Sequence, residues 1–158
     1  MITLTAGEIG LLVGGEIHCD KDLLVSKAPV FDSRKATPGC MFLALKGEYA
    51  DGHDYAADAY RAGAMFSLTT RRIDGPCIVV EDVIEALSIL AAFVRKRLSG
   101  LTVIGITGSQ GKTSTKDLLA HMLSSVGSTV SPAGSFNNDL GLPITLLECD
   151  VDTKYCIL

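Results

Sequence analysis

The sequence predicts an α/β protein in two pieces: a small mixed α/β domain at residues 1–99, followed by the start of a Rossmann-like domain at residues 100–158. Short apolar runs rich in β-branched residues alternate with segments whose apolar residues recur every three or four positions. Leu-Ser-Gly at 98–100 ends the longest helical segment, and a new strand, glycine loop and helix follow it. With 158 residues, the chain is long enough for one ordinary domain or two small ones.

The elements of the first piece are predicted from caps, turns and spacing. Thr5 and Glu8 form the capping-box pattern T-x-x-E, which predicts a short helix directly after Thr5. Gly63 ends a helical segment as a C-cap, and Asp82 is placed to cap a helix over 83–98. The other predictions are a strand end at 30–32, a turn at 37–40, strands at 41–47, 65–70 and 77–81, a loop at 49–54 and a helix over 55–62.

The second piece begins with a predicted strand at 102–107, continues with a glycine loop and a helix over 113–125, and ends with a strand at 154–158. The loop sequence TGSQGKTSTKD, at 107–117, departs from the usual phosphate-loop spacing G-x-x-x-x-G-K-[ST], because Ile106 stands at the first glycine position. About sixty residues after Gly100 make only two or three strands, which is too few for a complete doubly wound sheet.

Despite this departure, the loop has the features that phosphate binding requires. A buried strand leads into Gly108 and Gly111, and a helix then begins, so backbone N–H groups and the positive end of the helix dipole face one point. Lys112 would reach the β- and γ-phosphates of a nucleotide, and the Thr113 hydroxyl would bind Mg²⁺. The alternative is an ordinary turn between strand and helix that happens to contain Gly-Lys-Thr.

Composition and charge argue against several classes of protein. The net charge of −4 and the absence of Trp are not those of a nucleic-acid binder, which needs clustered Lys and Arg. Five cysteines with no C-x-x-C pair favour reduced thiols in a cytosolic protein over a disulfide framework or a zinc site. The longest apolar run, 87–94, is too short to cross a bilayer, and the N-terminus lacks a basic leader region.

Three stretches carry a resemblance to a known family. The loop pattern T-G-[ST]-x-G-K-T-[ST] resembles the ATP loop of the Mur ligases, the ATP-dependent amide-forming enzymes of peptidoglycan precursor synthesis. GSFNNDLGLPITLL, at 134–147, resembles the paired-Asn segment of the members that add D-Ala-D-Ala. Residues 31–64 resemble the nucleotide-sugar-binding N-terminal domain that those members share with the tripeptide-forming ligase. The resemblance covers nearly the whole chain.

The resemblance implies an activity and a set of site residues. The family activates a carboxylate as an acyl phosphate with ATP and Mg²⁺, and an amine then attacks. Here the carboxylate would belong to UDP-N-acetylmuramoyl-tripeptide and the amine to D-Ala-D-Ala. Lys112 and Thr113 are the candidate catalytic residues, and Thr113 is also the candidate metal ligand. The candidate nucleotide-binding residues are Gly108, Ser109, Gln110, Gly111, Lys112, Thr113 and Ser114, and the candidate substrate-binding residues are Ser33, Arg34, Lys46, Gly47, Asn137 and Asn138.

Each substrate-binding candidate has a structural alternative. Arg34 suits bidentate phosphate contacts but could form a surface salt bridge instead. Lys46-Gly47 allows close approach of a ligand or is a plain hairpin exit. His53 is either a ligand contact or, more in keeping with its position beside Asp54, a loop residue that makes hydrogen bonds. Asn137 and Asn138 could contact substrate or form an Asx-turn, and the resemblance favours the contact.

The family resemblance also predicts that the chain is the N-terminal portion of a longer ligase. The Glu that follows the last strand in the family, the carbamylated Lys and the domain that recognises D-Ala-D-Ala would all lie after residue 158. We therefore expect nucleotide-sugar binding without ligase turnover from this chain, in a cytoplasmic monomer with no nucleic-acid or membrane partner.

Three alternatives remain open. One is the tripeptide-forming ligase, and another is a non-catalytic nucleotide-binding module. The third is a generic P-loop kinase or GTPase, which leaves 31–64 unexplained and lacks the N-K-x-D motif that reads guanine.

Overall fold

The computed structural model describes residues 1–48, 50–132 and 139–158. It confirms the α/β class, and the chain divides into two compact units, Thr3–Leu90 and Ala91–Leu158, the second of which includes Met1–Ile2. The division falls within a helix that ends before Gly100, and the functional boundary at 99/100 stays a prediction. Among the described residues, no helix combines the length and apolar character needed to cross a membrane.

The first unit contains two small sheets. An antiparallel pair joins β1 to β3, and a four-stranded sheet has the order β2-β6-β5-β4. In that sheet β4, β5 and β6 are parallel, whereas β2 runs antiparallel to β6. The bounds are β1 Leu4–Thr5, β2 Glu16–His18, β3 Leu24–Val25, β4 Phe42–Leu43, β5 Ser67–Thr69 and β6 Cys77–Val79.

The predicted helix caps of this unit are confirmed. Helix α1 spans Ala6–Val13, and its capping box is complete: the Glu8 N–H donates to Thr5 Oγ1 (3.0 Å), and the Thr5 N–H donates to Glu8 Oε2 (2.8 Å). Helix α2 spans Ala56–Ala62 and ends at Gly63, which has a left-handed φ of 114°. Helix α3 spans Val83–Arg97, and the Asp82 carboxylate accepts two N–H groups of its first turn.

Small side chains let α2 pack closely on β4. The predicted turn at 37–40 is confirmed by a Cys40 N–H to Thr37 O bond of 3.1 Å and by a φ of 91° at Gly39. Phe42 and mostly alanines form the buried core shared by α2 and β4, which consists of Ala36, Cys40, Phe42, Ala44, Ala56, Ala59 and Ala64.

In the described part of the second unit, three parallel strands form a sheet with the order β7-β9-β8. The predicted strand and helix around the glycine loop are confirmed as β7 (Thr102–Ile104) and α4 (Lys112–Ser124), and the last predicted strand as β9 (Tyr155–Ile157). Strand β8 (Thr129–Val130) was not predicted, and no bounds were predicted for helix α5 (Gly141–Glu148).

The predicted strand at 41–47 is too long. It ends at Leu43, because the Leu45 N–H turns back to the carbonyl of Leu43 and the carbonyl of Leu45 then accepts the Gly52 N–H. The predicted loop at 49–54 ends in a 3-10 turn, Gly52–Tyr55. The predicted strand end at 30–32 is reduced to an isolated bridge between Val30 and Phe42.

Candidate functional site

The first unit has an open groove of about 980 Å³ at the carboxyl side of β4. Ser33, Arg34, Lys46 and Gly47, the predicted substrate contacts that the structure describes, all line it. They come from two segments separated by β4, so the fold brings together residues that are apart in the sequence. Asn137 and Asn138 lie outside the described residues.

A 3-10 turn, Ser33–Lys35, presents Arg34 at the groove. Asp32 caps this turn by accepting the Arg34 backbone N–H at 3.1 Å. The same carboxylate binds one edge of the guanidinium through both of its oxygens: Nε donates to Oδ1 at 2.9 Å, and Nη2 donates to Oδ2 at 2.8 Å. The Arg34 side chain is 87% exposed. The guanidinium is therefore directed by Asp32 and still has an open face toward the groove and solvent.

This ion pair predicts an unusually acidic carboxyl. The Arg34 side-chain hydrogen bonds lower the pKa of Asp32 from 3.8 to about 2. Because the folded pKa is the lower one, the pair contributes stability above pH 3.8, and this contribution is lost as the pH falls through about 2. Carboxyl-detected NMR of Asp32 should show a midpoint near 2. In Arg34→Gln the midpoint should return toward 3.8, and an unchanged midpoint would contradict the assigned cause.

The segment after β4 forms another part of the groove. Lys46 pairs with Asp51 in an isolated antiparallel bridge, and the Gly47 N–H donates to Ala50 O at 2.9 Å. Lys46 and Gly47 are both exposed. The groove thus has one cation on each of two segments, Arg34 and Lys46, beside the carboxylates of Asp32, Asp58 and Asp82.

Apolar groups that the sequence analysis did not single out also line the groove. Phe31, Tyr55 and Ile84 are 45%, 45% and 38% exposed, which is high for large apolar side chains. Phe31 directly precedes Asp32-Ser33-Arg34, and Tyr55 directly follows Asp51-Gly-His-Asp. Their position next to the predicted polar residues is the sequence signal that could have identified Phe31 and Tyr55 as groove residues. Ile84 reaches the groove through tertiary folding at the start of α3.

His53 is buried and makes hydrogen bonds within the fold, as the structural alternative to a ligand contact predicted. Its Nδ1 lies 2.5 Å from Asp51 Oδ1, and its Nε2 lies 3.1 Å from the Thr70 backbone nitrogen. It is not among the groove-lining residues, whereas its neighbours Gly52 and Thr70 are.

The glycine loop lies in the second unit between β7 and α4. Gly111 has a left-handed φ of 76° and directly precedes the helix, and no side chain caps the helix N-terminus. The Lys112 Nζ donates to Gly108 O at 2.5 Å, so this side chain folds over the loop. Gly108, Ser109, Gln110, Gly111, Lys112, Thr113 and Ser114 are all exposed.

Two further contacts frame the loop. The Ile106 N–H donates to Leu158 O at 2.7 Å, so the carboxyl end of β9 lies beside the start of the loop. Lys116, one turn into α4, is buried and donates from Nζ to Pro132 O at 2.6 Å. This bond ties the loop helix to the chain leaving β8.

Comparison with known proteins matches both units to models of the same family. Residues 30–95 match the family model described as "Mur ligase family, catalytic domain", and residues 106–158 match the model described as "Mur ligase middle domain". The chain is 44% identical over its whole length to the UDP-N-acetylmuramoyl-tripeptide--D-alanyl-D-alanine ligase of Mycobacterium tuberculosis H37Rv. It spans 36% of the length of that relative.

Solved structures agree in fold. MurF from Acinetobacter baumannii superposes with a TM-score of 0.88 at 35% identity, covering 100% of this chain and 36% of that one. MurF ligase from Thermotoga maritima, solved in complex with ADP, superposes with a TM-score of 0.72 at 33% identity. That match covers 88% of this chain and 33% of the other.

Proposed function

The chain belongs to the Mur ligase family, and from this premise we propose that it supplies the nucleotide-sugar groove and the ATP loop of a ligase that adds D-Ala-D-Ala to UDP-N-acetylmuramoyl-tripeptide. The observation that carries the proposal is the match of the whole chain to relatives of that name at 44% identity. We place this ligase in the cytoplasm as a monomer.

The glycine loop has the features needed for the phosphates of ATP. The uncapped N-terminus of α4 leaves its first N–H groups without partners inside the helix. Gly111 makes the left-handed turn that brings those groups to one point. Lys112 would exchange its bond to the Gly108 carbonyl for phosphate oxygens, and the Thr113 hydroxyl would hold Mg²⁺. ATP and Mg²⁺ would supply the phosphoryl group and charge neutralisation that activate the carboxylate.

The groove in the first unit would bind the UDP-sugar part of the substrate. Arg34, held in a defined orientation by Asp32, would offer guanidinium N–H groups to diphosphate oxygens, and Lys46 would add a second charge from the segment after β4. Ser33 is buried and lines the groove, and its hydroxyl would contact the ligand. Phe31 and Tyr55 provide apolar surface for a base or sugar face.

The tripeptide-forming ligase remains the alternative within the family, because residues 31–64 resemble both kinds of enzyme. A substrate test in the complete enzyme distinguishes them: D-Ala-D-Ala should support ADP release, and a diamino acid should not. The reverse result would assign the chain to the tripeptide-forming member.

Calorimetric titration tests the groove directly. UDP-N-acetylmuramoyl-tripeptide should bind this chain, and Arg34→Ala should weaken that binding about 10- to 100-fold, as expected for a charge-assisted hydrogen bond worth about 1.5–3 kcal/mol. UDP alone and Mg-ATP alone serve as separate ligands. Arg72→Ala is a matched control, because Arg72 is an exposed arginine of the same unit that bonds Gly75 O and Cys77 Sγ and does not line the groove.

Binding of Mg-ATP without any binding of the UDP-sugar peptide would contradict the groove assignment. It would favour a non-catalytic nucleotide-binding module or another P-loop protein. Equal binding by Arg34→Ala and wild type would remove Arg34 from the site.

A further inference from the structure

We propose that His53 is a positioning residue of the groove: its ring links the segment that carries Lys46 and Gly47 to the end of β5 and so holds this side of the groove in place. The inference rests on the proposed function, since it assigns the ligand of this groove as a UDP-containing nucleotide. His53 itself does not line the groove.

The hydrogen-bond pattern determines the tautomer of the ring. The Thr70 backbone N–H can only donate, so His53 Nε2 (3.1 Å away) must accept and carries no proton. The Thr70 hydroxyl lies 3.2 Å from the same nitrogen. Nδ1 then carries the proton and donates it to Asp51 Oδ1. His53 is thus a neutral ring with one donor and one acceptor, each satisfied by a different segment of the chain.

Asp51 connects the ring to the groove. Its backbone pairs with Lys46, and its carboxylate caps the 3-10 turn Gly52–Tyr55 by accepting the His53 backbone N–H at 3.0 Å. Arg71 Nη2 donates to the other carboxylate oxygen at 3.1 Å. The backbone and ring hydrogen bonds from His53, with a further bond from Arg71, lower the pKa of Asp51 well below its ordinary value.

Thr70 is the anchor on the other side of the ring. It directly follows β5 (Ser67–Thr69), a central strand of the four-stranded sheet, and lines the groove. The ring therefore joins a sheet-anchored residue to the segment that presents Lys46. Burial of the ring, which is 7% exposed, strengthens both bonds because water does not compete for them.

Two substitutions separate the two bonds. His53→Gln can keep an acceptor near the Nε2 position but loses the donor to Asp51, whereas His53→Asn can keep a donor near the Nδ1 position but loses the acceptor for Thr70. Each breaks the link, so each should weaken binding of UDP to this chain about tenfold in calorimetry. The amide NMR signals of Lys46 and Gly47 should shift in both variants.

The matched control is His18→Gln. His18 lies on β2 in the same unit, pairs with Glu16 on the surface and does not line the groove. This variant should bind UDP like wild type and leave the Lys46 and Gly47 signals in place. If the His53 variants lose thermal stability but bind UDP as tightly as His18→Gln, His53 only stabilises the fold and the proposal is wrong.

Two further results keep the inference separate from the proposed function. Failure of wild type to bind UDP would refute the proposed ligand, while the Lys46 and Gly47 signals would still test the positioning role. Should both His53 variants fail to fold, Asp51→Ser provides the test. It keeps an oxygen for the cap, but this oxygen is one bond nearer the backbone and no longer accepts from the ring, so UDP binding should weaken at least threefold. Unchanged binding would overturn the proposal.

Discussion

Gly63→Ala is expected to lower the free energy of unfolding of the unit Thr3–Leu90 by about 2–5 kcal/mol. Two penalties combine at this position. Its φ of 114° lies in a region that L-residues rarely adopt, and a Cβ there would lie 2.7 Å from both the Cδ and the backbone nitrogen of Pro38. Neither atom can move away without shifting the turn at 37–40. Urea unfolding followed by circular dichroism measures the loss.

Alanine substitutions at two other glycines of the same unit measure the cost of the backbone conformation and the cost of the steric clash separately. Gly14 has a φ of 64° with no atom within 4 Å of the added Cβ, so Gly14→Ala should cost only about 1 kcal/mol. At Gly52, where no positive φ occurs, the Cβ would meet the Leu45 backbone nitrogen and oxygen at 2.6 Å. Overpacking alone should then cost about 1–3 kcal/mol. A loss at Gly63 no larger than that at Gly14 would contradict the close packing of α2 against this turn.

Lys112→Met should weaken binding of Mg-ATP to this chain about 10- to 100-fold, which corresponds to about 1.5–3 kcal/mol for lost hydrogen bonds to a charged group. The physical reason is the position of the ammonium group, which reaches across the loop to Gly108 O and would lie against the β- and γ-phosphates. Methionine keeps the length and apolar stem of the side chain and removes the charge and the donors. Calorimetry at two salt concentrations measures the change, which should shrink at high salt.

The control for this experiment is Lys154→Met. Lys154 is an exposed lysine of the same unit that directly precedes β9. It therefore lies at the amino ends of the parallel strands, whereas the glycine loop follows the carboxyl end of β7. Its loss changes the net charge equally and should leave Mg-ATP binding nearly unchanged. If both variants lose affinity to the same extent, the effect comes from overall charge, and Lys112 has no specific role in the loop.

Local features were predictable because neighbouring residues determine them. Thr5 and Glu8 satisfy the first N–H groups of α1 from within four residues, and Gly63 can adopt the left-handed conformation that ends α2. The glycine loop was predictable for the same reason, because its strand, two glycines and helix start lie within one short stretch of sequence. The four-residue capping pattern and the loop pattern are therefore recognisable in the sequence.

The remaining strands and the groove could not be predicted in the same way. Strands β1, β2, β3 and β8 are as short as the predicted strands, but they lie outside the longer apolar runs by which those strands were recognised. The sequence predicted Arg34 and Lys46 separately, but their position on one groove depends on β4 lying between their segments and pairing with β5. The role of His53 depends on Thr70, seventeen residues later in the sequence.

The sequence by itself determined the α/β class, the helix caps, the glycine loop and the resemblance to the Mur ligases, because each of these depends on residue types at short fixed spacings. Tertiary structure alone decided the strand orders β2-β6-β5-β4 and β7-β9-β8 and the apolar side chains at the groove. It also decided that His53 does not line the groove and bonds Asp51 and Thr70. The physical reason is that strand pairing and burial are set by contacts between distant segments, whose free energies no local pattern records.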